Sequence, residues 1–144
     1  MSAIGFSAAF RIKGDTLSPT AISHLLAIEP TSSHAKGDPR VGESKKHKPL
    51  NHGVWTNGIW ILGSELPKSN NIEEHLQALL NRLEAKATEL KELRSSGLAL
   101  DIYCGCFLSS TSAGMVLSPQ AIHRLSELNL EISFEIYAPN PDFV

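Results

Sequence analysis

The sequence predicts an α+β fold in which helices pack on one face of a mainly antiparallel sheet, built from two ferredoxin-like βαβ-type halves. Three observations predict it: an internal repeat, an alternation of strand-like and helix-like segments, and a globular composition. The chain has 144 residues, of which 42% are hydrophobic and 19% are charged. These values are typical of one domain with an ordinary core. We therefore expect a single domain over residues 1–144, with halves at about 1–65 and 66–144.

The repeat consists of two nine-residue segments that share six identities. Residues 17–25 read Leu-Ser-Pro-Thr-Ala-Ile-Ser-His-Leu, and residues 117–125 read Leu-Ser-Pro-Gln-Ala-Ile-His-Arg-Leu. In each copy the serine suits a helix N-cap and the proline suits the first helical position. The pattern predicts helices over 18–27 and 118–128. Their apolar stripes are Ile22, Leu25 and Leu26 in the first copy, and Ile122, Leu125 and Leu128 in the second.

Strand-like segments accompany both helices. Residues 4–13 and 98–108 precede them, and residues 130–137 alternate apolar and polar side chains as in a half-buried antiparallel strand. Residues 54–63 place Val54-Trp55-Thr56 and Ile59-Trp60-Ile61-Leu62 on either side of Asn57-Gly58. This segment is either a tight hairpin or one bulged strand.

The longest predicted element is a helix over 71–94, where leucines recur at helical spacing. Asn70 or Asn71 suits its N-cap, and Gly97 suits its end. The stripe fits a helix that covers the sheet. A coiled-coil seam between copies is the alternative, and the oligomeric state stays open.

The net charge and the cysteine content indicate which partners and which cellular compartment suit the protein. The formal charge is −2, which gives no overall field for nucleic acid or a membrane surface. No apolar run approaches the ~20 residues of a membrane span, and the first residues lack the pattern of a signal peptide. Cys104 and Cys106 cannot build a disulfide framework, which indicates a reducing compartment. We expect a cytoplasmic protein that does not contact a membrane.

Segment 30–52 differs from the rest of the chain because it is rich in proline and glycine and nearly free of large apolar residues. Loops of this length inside a compact domain are usually functional or mobile, and we expect a mobile loop over about 30–52. Its charged residues give it +3, which leaves −5 for the remainder; they are Lys36, Asp38, Arg40, Glu43, Lys45, Lys46 and Lys48.

Several short motifs of this sequence resemble those of the bacterial DUF4279 proteins, a family of unknown function. The motifs are Leu17-Ser18-Pro19, Lys36-Gly37-Asp38, Gly58-Ile59-Trp60, the helix 71–94, the small residues near 111–114, the second Leu-Ser-Pro and Ile136-Tyr137. The resemblance spans most of the chain and implies a bacterial setting without an assigned reaction. Some small bacterial proteins of this kind are toxin-neutralising immunity proteins, which is an analogy and not a property of these residues.

The residue pattern offers little for catalysis. Cys104-x-Cys106 is closer than zinc ligand pairs, and His47 and His52 lack a second pair, so we expect no metal and no cofactor. No nucleophile elbow is present, and we assign no catalytic residue. Asp101 facing Glu131 or Glu135 would make paired carboxylates suited to acid–base work, but acids on an exposed sheet face more often serve solvation.

Binding residues are easier to nominate than catalytic ones. The binding candidates are Lys36, Asp38, Lys45, Lys46, Trp55, Trp60, Glu131 and Glu135. Glu131 and Glu135 share one side of a strand and, if uncovered, form an acidic surface for a basic partner. Ser110, Thr111 and Ser112 precede a helix and are candidates for binding an anion. The basic loop beside Trp55 resembles a single-strand grip, but the acidic remainder argues against nucleic acid.

We therefore expect a non-catalytic protein-binding domain, whose concrete form is a bacterial immunity protein that masks a toxin. The alternative is a small-ligand-binding or enzymatic domain that uses a cleft between the halves. Residues 109–114 and Lys36-Gly37-Asp38 are the candidate rims of that cleft.

Overall fold

A computed structural model describes residues 3–42 and 50–139. The strands are β1 (Ala3–Gly14), β2 (Ser32–His34), β3 (Pro39–Gly42), β4 (Leu50–Val54), β5 (Gly58–Gly63), β6 (Ala99–Leu108) and β7 (Glu131–Tyr137). The helices are α1 (Pro19–Leu26), α2 (Ile72–Leu83), α3 (Ala87–Ser95) and α4 (Pro119–Glu127), with a 3-10 turn at Glu84–Lys86. Five strands form a sheet in the order β2-β5-β1-β6-β7, and β3 pairs with β4. The prediction of an α+β fold with a mainly antiparallel sheet is confirmed.

The sheet is centred on β1, which pairs antiparallel with β5 on one side and with β6 on the other. The strand β7 pairs parallel with β6, from Asp101 opposite Glu131 to Phe107 opposite Tyr137. The prediction of an antiparallel strand over 130–137 is therefore wrong. The reason is α4, because a helix that crosses back over the sheet returns the chain parallel to the strand it left.

One face of the sheet forms the core with the helices. Alternate strand residues are buried there, among them Phe10, Ile102 and Trp60, each 0% exposed. Helix α2 lies over this face with its leucines almost completely buried, at positions 76, 79, 80 and 83. The alternative prediction of a coiled-coil seam on this helix is wrong, because its apolar stripe packs on the sheet.

The helix starts follow the predicted capping signals. The Ser18 hydroxyl accepts from the Ala21 N–H, and the Ser118 hydroxyl accepts from the Ala121 N–H. Asn71 and Glu74 form a reciprocal capping box at 2.9 and 3.0 Å. The predicted single helix over 71–94 is instead two helices joined by the 3-10 turn. None of the helices in the described ranges combines the length with the apolar character that a bilayer crossing requires.

Burial differs between the two repeat helices. Ile22 is 3% exposed on α1, but its counterpart Ile122 on α4 is 54% exposed. Helix α4 instead buries Ala121 and Leu125, at 2% and 5% exposed. The prediction of Ile122 as a core residue is wrong, because α4 presents to the sheet a stripe displaced by one residue relative to α1.

Arginines attach α4 and the turn after it to the other helices. Arg124 donates to both carboxylate oxygens of Glu84 at 2.8 and 2.9 Å and to the Asn81 side-chain oxygen at 2.7 Å. Arg94 donates to the backbone oxygens of Leu128 and Asn129. These bonds position β7 at the edge of the sheet, since β7 begins two residues after Asn129.

The described parts of segment 30–52 contain strands that its composition does not predict. The segment contains β2, β3 and the first residues of β4. The prediction of a loop is therefore wrong over 32–34, 39–42 and 50–52. Residues 43–49 lie outside the described residues. The predictions of a hairpin or of one bulged strand over 54–63 are also wrong, because β4 and β5 belong to different sheets. The Trp55 N–H donates to the Asp38 carbonyl, and the Trp55 carbonyl accepts from the Gly37 N–H, which turns the chain away from β5.

Candidate binding surface

The second face of the sheet carries the odd-numbered residues of β1, β5, β6 and β7, and most of its side chains are half-buried or exposed. We call it the open face. Arg11 and Asp101 are opposite each other on β1 and β6. Two parallel hydrogen bonds of 2.9 and 2.7 Å join the guanidinium to the carboxylate. The bond to Asp101 raises the pKa of Arg11, and the two parallel bonds fix the geometry of the pair.

Three aromatic rings form a cluster on the open face beside this ion pair. Phe107 stacks on Tyr137 with ring centroids 4.9 Å apart and an interplanar angle of 6°. The Tyr103 hydroxyl lies 2.7 Å from the Tyr137 hydroxyl, and the Arg11 guanidinium lies 4.6 Å from the Tyr103 ring centre. Each ring therefore has at least one specific neighbour that holds its orientation. We refer to Tyr103, Phe107 and Tyr137 as the aromatic cluster.

The connection between β5 and α2 closes one end of the cluster. The Lys68 ammonium lies 4.1 Å from the Phe107 ring centre, and the Lys68 carbonyl accepts from the Phe6 N–H at 2.8 Å. A Cβ at Gly5 would lie 2.6 Å from Lys68 Cβ. Glycine is required at position 5 because this connection passes directly against the β1 backbone.

The hydroxyl pair changes the acidity of Tyr103. The hydrogen bond to Tyr137, followed by burial, raises the pKa of Tyr103 to about 12. The phenol is therefore protonated at neutral pH and acts as a hydrogen-bonding group, not as a base.

Two acids border the aromatic cluster on β7. Glu131 and Glu135 are exposed and share the open face with Tyr137. Asp101 lies opposite Glu131 in the sheet register, but its carboxylate is occupied by Arg11. The predicted acidic surface is thus confined to the β7 side, since β1 contributes Arg11 and Lys13 to the same face. Asp101 and Glu131 are neighbours, but they are not a free carboxylate pair.

A second aromatic group lies at the opposite edge. His34 on β2 stacks on Trp55 with centroids 3.7 Å apart, and the Arg40 guanidinium lies 4.4 Å from the Trp55 ring centre. Burial lowers the pKa of His34, which favours the neutral imidazole. Trp55 is half-buried and accessible at this edge, so its predicted binding role stays a prediction.

Comparison of the sequence with known families identifies the family of this chain. The chain belongs to the family described as domain of unknown function (DUF4279), whose family model matches residues 4–139. The predicted resemblance is confirmed. No curated protein and no solved structure matches the chain. The family description assigns no activity, so the functional argument rests on geometry.

Two of the four charged binding candidates in segment 30–52 lie among the described residues of the DUF4279 domain. The Lys36 ammonium lies 3.5 Å from the Asp15 carboxylate, beyond the end of β1. The Asp38 carboxylate accepts from the Ala35 N–H at 2.8 Å and so closes its own turn. Lys45 and Lys46 lie outside the described residues. A binding role for these four residues stays a prediction, and the first two are far from the aromatic cluster.

Trp60 is a core residue of the DUF4279 domain. Its side chain is 0% exposed, its indole N–H donates to the Ser23 hydroxyl at 3.0 Å, and Phe10 meets it edge to face. The prediction of Trp60 as a binding residue is wrong, because the even-numbered residues of β5 face the helices.

The predicted anion-binding residues lie in the loop after β6. Thr111 and Ser112 are exposed, and the Ser110 hydroxyl donates to the Ser112 carbonyl at 3.0 Å. The start of α4 already has a carboxylate, because the Ser118 N–H donates to Glu73 of α2. Anion binding by this loop stays a prediction, without help from the α4 N-terminus.

The two candidate rims of a cleft are widely separated. Residues 109–114 follow Leu108, which pairs with the start of β1, whereas Lys36 contacts Asp15 beyond its end. The 12 residues of β1 separate them by on the order of 35 Å. The prediction that they line one cleft is wrong.

The described cysteines and histidines of the DUF4279 domain offer little for nucleophilic or metal chemistry. Cys104 and Cys106 are buried free thiols, and burial raises the pKa of Cys104 to about 12. Over residues 3–42 and 50–139, no three histidine, cysteine or acidic side chains come together as metal ligands would.

The sequence did not reveal one close polar pair. Ser64 Oγ lies 2.6 Å from His75 Nδ1, a distance that nucleophilic catalysis also uses. His75 is 1% exposed and burial lowers its pKa, so the imidazole lies inside the protein and not in an accessible cleft. The pair therefore serves to attach the β5–α2 connection to helix α2. A histidine on a leucine-rich helix gives no signal of such a contact.

Sequence reasoning also missed most of the open face. Arg11, Lys68 and the aromatic cluster were not nominated, whereas Glu131 and Glu135 were. Strand alternation gives the side of each residue but not its cross-strand neighbour, and the cluster exists only through the pairing of β1, β6 and β7.

Proposed function

We propose that this DUF4279 domain is a non-catalytic protein-binding module that engages its partner through the β6–β7 side of the open face. The observation that carries the proposal is the aromatic cluster. Its rings are accessible on a sheet face and already ordered by stacking, a hydroxyl pair and two cations. Ordered aromatic side chains lose little entropy on binding and are frequent anchors of protein interfaces.

The charges beside the cluster favour a partner of defined chemistry. Glu131 and Glu135 are exposed and without a described ion pair, whereas Arg11 is already neutralised by Asp101. A partner that presents lysine or arginine beside an apolar group complements this arrangement. A bacterial immunity protein that masks a basic toxin surface is the concrete form of the proposal.

Two protonation states support a binding role over catalysis. The pKa values of about 12 for Tyr103 and Cys104 leave both groups protonated at neutral pH. Neither supplies a nucleophile or a base there. A ligand site between the halves has less support, because its candidate rims lie at opposite ends of β1.

We also infer that the fold derives from two ferredoxin-like halves. The support is that β1–α1 and β6–α4 each join a strand to a Ser-Pro-capped helix, and that β1 and β6 meet antiparallel. The open face would then be continuous across the junction of the halves.

Affinity purification of the tagged protein from its native cells tests the proposed function, with matched variants on two surfaces. Glu135→Lys and Tyr103→Ala alter the open face. Glu92→Lys makes the same charge reversal on exposed α3 and serves as the control. We expect one stoichiometric partner whose affinity falls at least about tenfold in the open-face variants and is unchanged in the control.

Two results would oppose the proposal. One is purified protein without a partner, and the other is a partner that the open-face variants retain. For the immunity form, the gene is deleted beside an intact and expressed toxin-like neighbour. Growth arrest is expected, and normal growth counts against that form.

A further inference from the structure

β7 is an edge strand of the sheet and carries exposed apolar side chains. Phe134 and Ile136 are 40% and 60% exposed, although both point to the helix side of the sheet, where their neighbours Cys104 and Cys106 are buried. β7 ends the strand order, and no other strand of the described residues pairs with its outer side. A sheet edge of this kind is a template for a further strand.

Each edge of the sheet is formed by the strand that follows a repeat helix, β2 after α1 and β7 after α4. β2 has three residues and polar side chains, Ser32, Ser33 and His34, whereas β7 has seven residues and apolar side chains at 132, 134 and 136. The β7 edge is thus the longer and more apolar of the two edges and leaves apolar surface uncovered.

We propose that a second copy of this chain supplies a further strand at this edge, through antiparallel pairing of β7 with β7 of the second copy about a two-fold axis at Phe134. In this register Phe134 lies opposite Phe134 of the second copy, and Ile132 lies opposite Ile136. On the open face, Ser133 lies opposite Glu135, and Glu131 lies opposite Tyr137. The three apolar residues on the helix side meet one another, and no acid meets an acid.

The neighbouring registers are unfavourable, because they place acids opposite acids or apolar side chains opposite polar ones. An axis at Ser133 puts Glu131 opposite Glu135, and an axis at Glu135 puts that residue opposite itself. Like charges directly opposite each other destabilise a strand pair. A shift by one residue places the apolar side of one strand against the polar side of the other. The contact is isologous and produces a closed dimer with a ten-stranded sheet.

Light scattering and sedimentation equilibrium of the full chain test the dimer. We expect the wild-type protein to have twice the mass of one chain at micromolar concentration. Phe134→Glu places two carboxylates on the axis and should raise the dissociation constant at least about tenfold. Val116→Glu makes the same change at a 77% exposed residue outside β7 and should leave the dimer intact. Circular dichroism confirms that both variants are folded.

Cysteine cross-linking tests the register without relying on a disruptive variant. Phe134→Cys brings two thiols together at the axis, where opposite Cα atoms are about 4.5–5.5 Å apart and a disulfide can form. Glu135→Cys separates the two thiols by two residues, roughly 8 Å between Cα atoms, which is too far. Wild-type protein controls for the buried Cys104 and Cys106.

A covalent dimer at position 134 and none at 135 supports the proposal. A monomeric wild-type protein overturns it. Equal cross-linking at both positions, a dimer that Phe134→Glu leaves unchanged, or a strand of a different protein bound to β7 in place of the second copy overturns it as well.

Discussion

The two isoleucines at the fourth position of the repeat helices provide a matched test of the fold. Substitution to alanine removes three carbons from either residue. At Ile22, which is 3% exposed, the lost transfer free energy is about 2.4 kcal/mol at about 0.8 kcal/mol per carbon. The cavity brings the cost to roughly 3–4 kcal/mol. At Ile122, which is 54% exposed, less than half of the transfer free energy is at stake and solvent fills the space, so the cost is about 1 kcal/mol.

Urea unfolding of Ile22→Ala and Ile122→Ala at low protein concentration measures this difference. The helix-forming advantage of alanine is common to both sites, so it cancels in the comparison. We expect Ile22→Ala to be less stable by at least about 2 kcal/mol, or roughly 6 °C in thermal midpoint. Equal losses, or a larger loss for Ile122→Ala, would refute the one-residue displacement of the buried stripe on α4.

Three further predictions concern single groups. Tyr137→Phe should lower the pKa of Tyr103 from about 12 towards its ordinary value of about 10, and ultraviolet titration that finds no change would exclude the hydroxyl pair. Trp60→Phe leaves the Ser23 hydroxyl without its indole donor and should reduce the unfolding free energy by about 2 kcal/mol, with a negligible loss in denaturant curves arguing against that bond. Burial lowers the pKa of His75, so the folded state favours the neutral imidazole. The stability that this imidazole contributes is present above about pH 6.5 and is lost as the pH falls through the folded-state pKa. His75→Gln should therefore reduce the acid sensitivity of unfolding, and an unchanged pH profile would contradict this assignment.

Signals contained in a few adjacent residues were sufficient to predict the helix starts. Ser18, Ser118 and Asn71 cap helices as expected, because a cap depends on bonds within one turn. The direction of β7 depends on where α4 returns the chain, and alternation along 131–137 is the same for either direction. The hairpin prediction failed for a related reason. Asn57-Gly58 is a favourable turn, but the bonds between Trp55 and the 37–38 turn direct β4 to β3 instead.

The row formed by Arg11, Asp101 and Glu131 shows why the candidate site needed the sheet register. Taken alone, Asp101 and Glu131 are two acids on separate strands, a pattern compatible with acid–base chemistry. With β1 in register, the Asp101 carboxylate receives two guanidinium bonds, and Arg11 also orients Tyr103. Arg11 therefore occupies the Asp101 carboxylate, which is then not free for acid–base chemistry. Arg11 also fixes the orientation of the Tyr103 ring, which is half-buried on the open face. The exposed acids that remain, Glu131 and Glu135, border an ordered aromatic surface, and the proposed recognition of a basic protein rests on this combination.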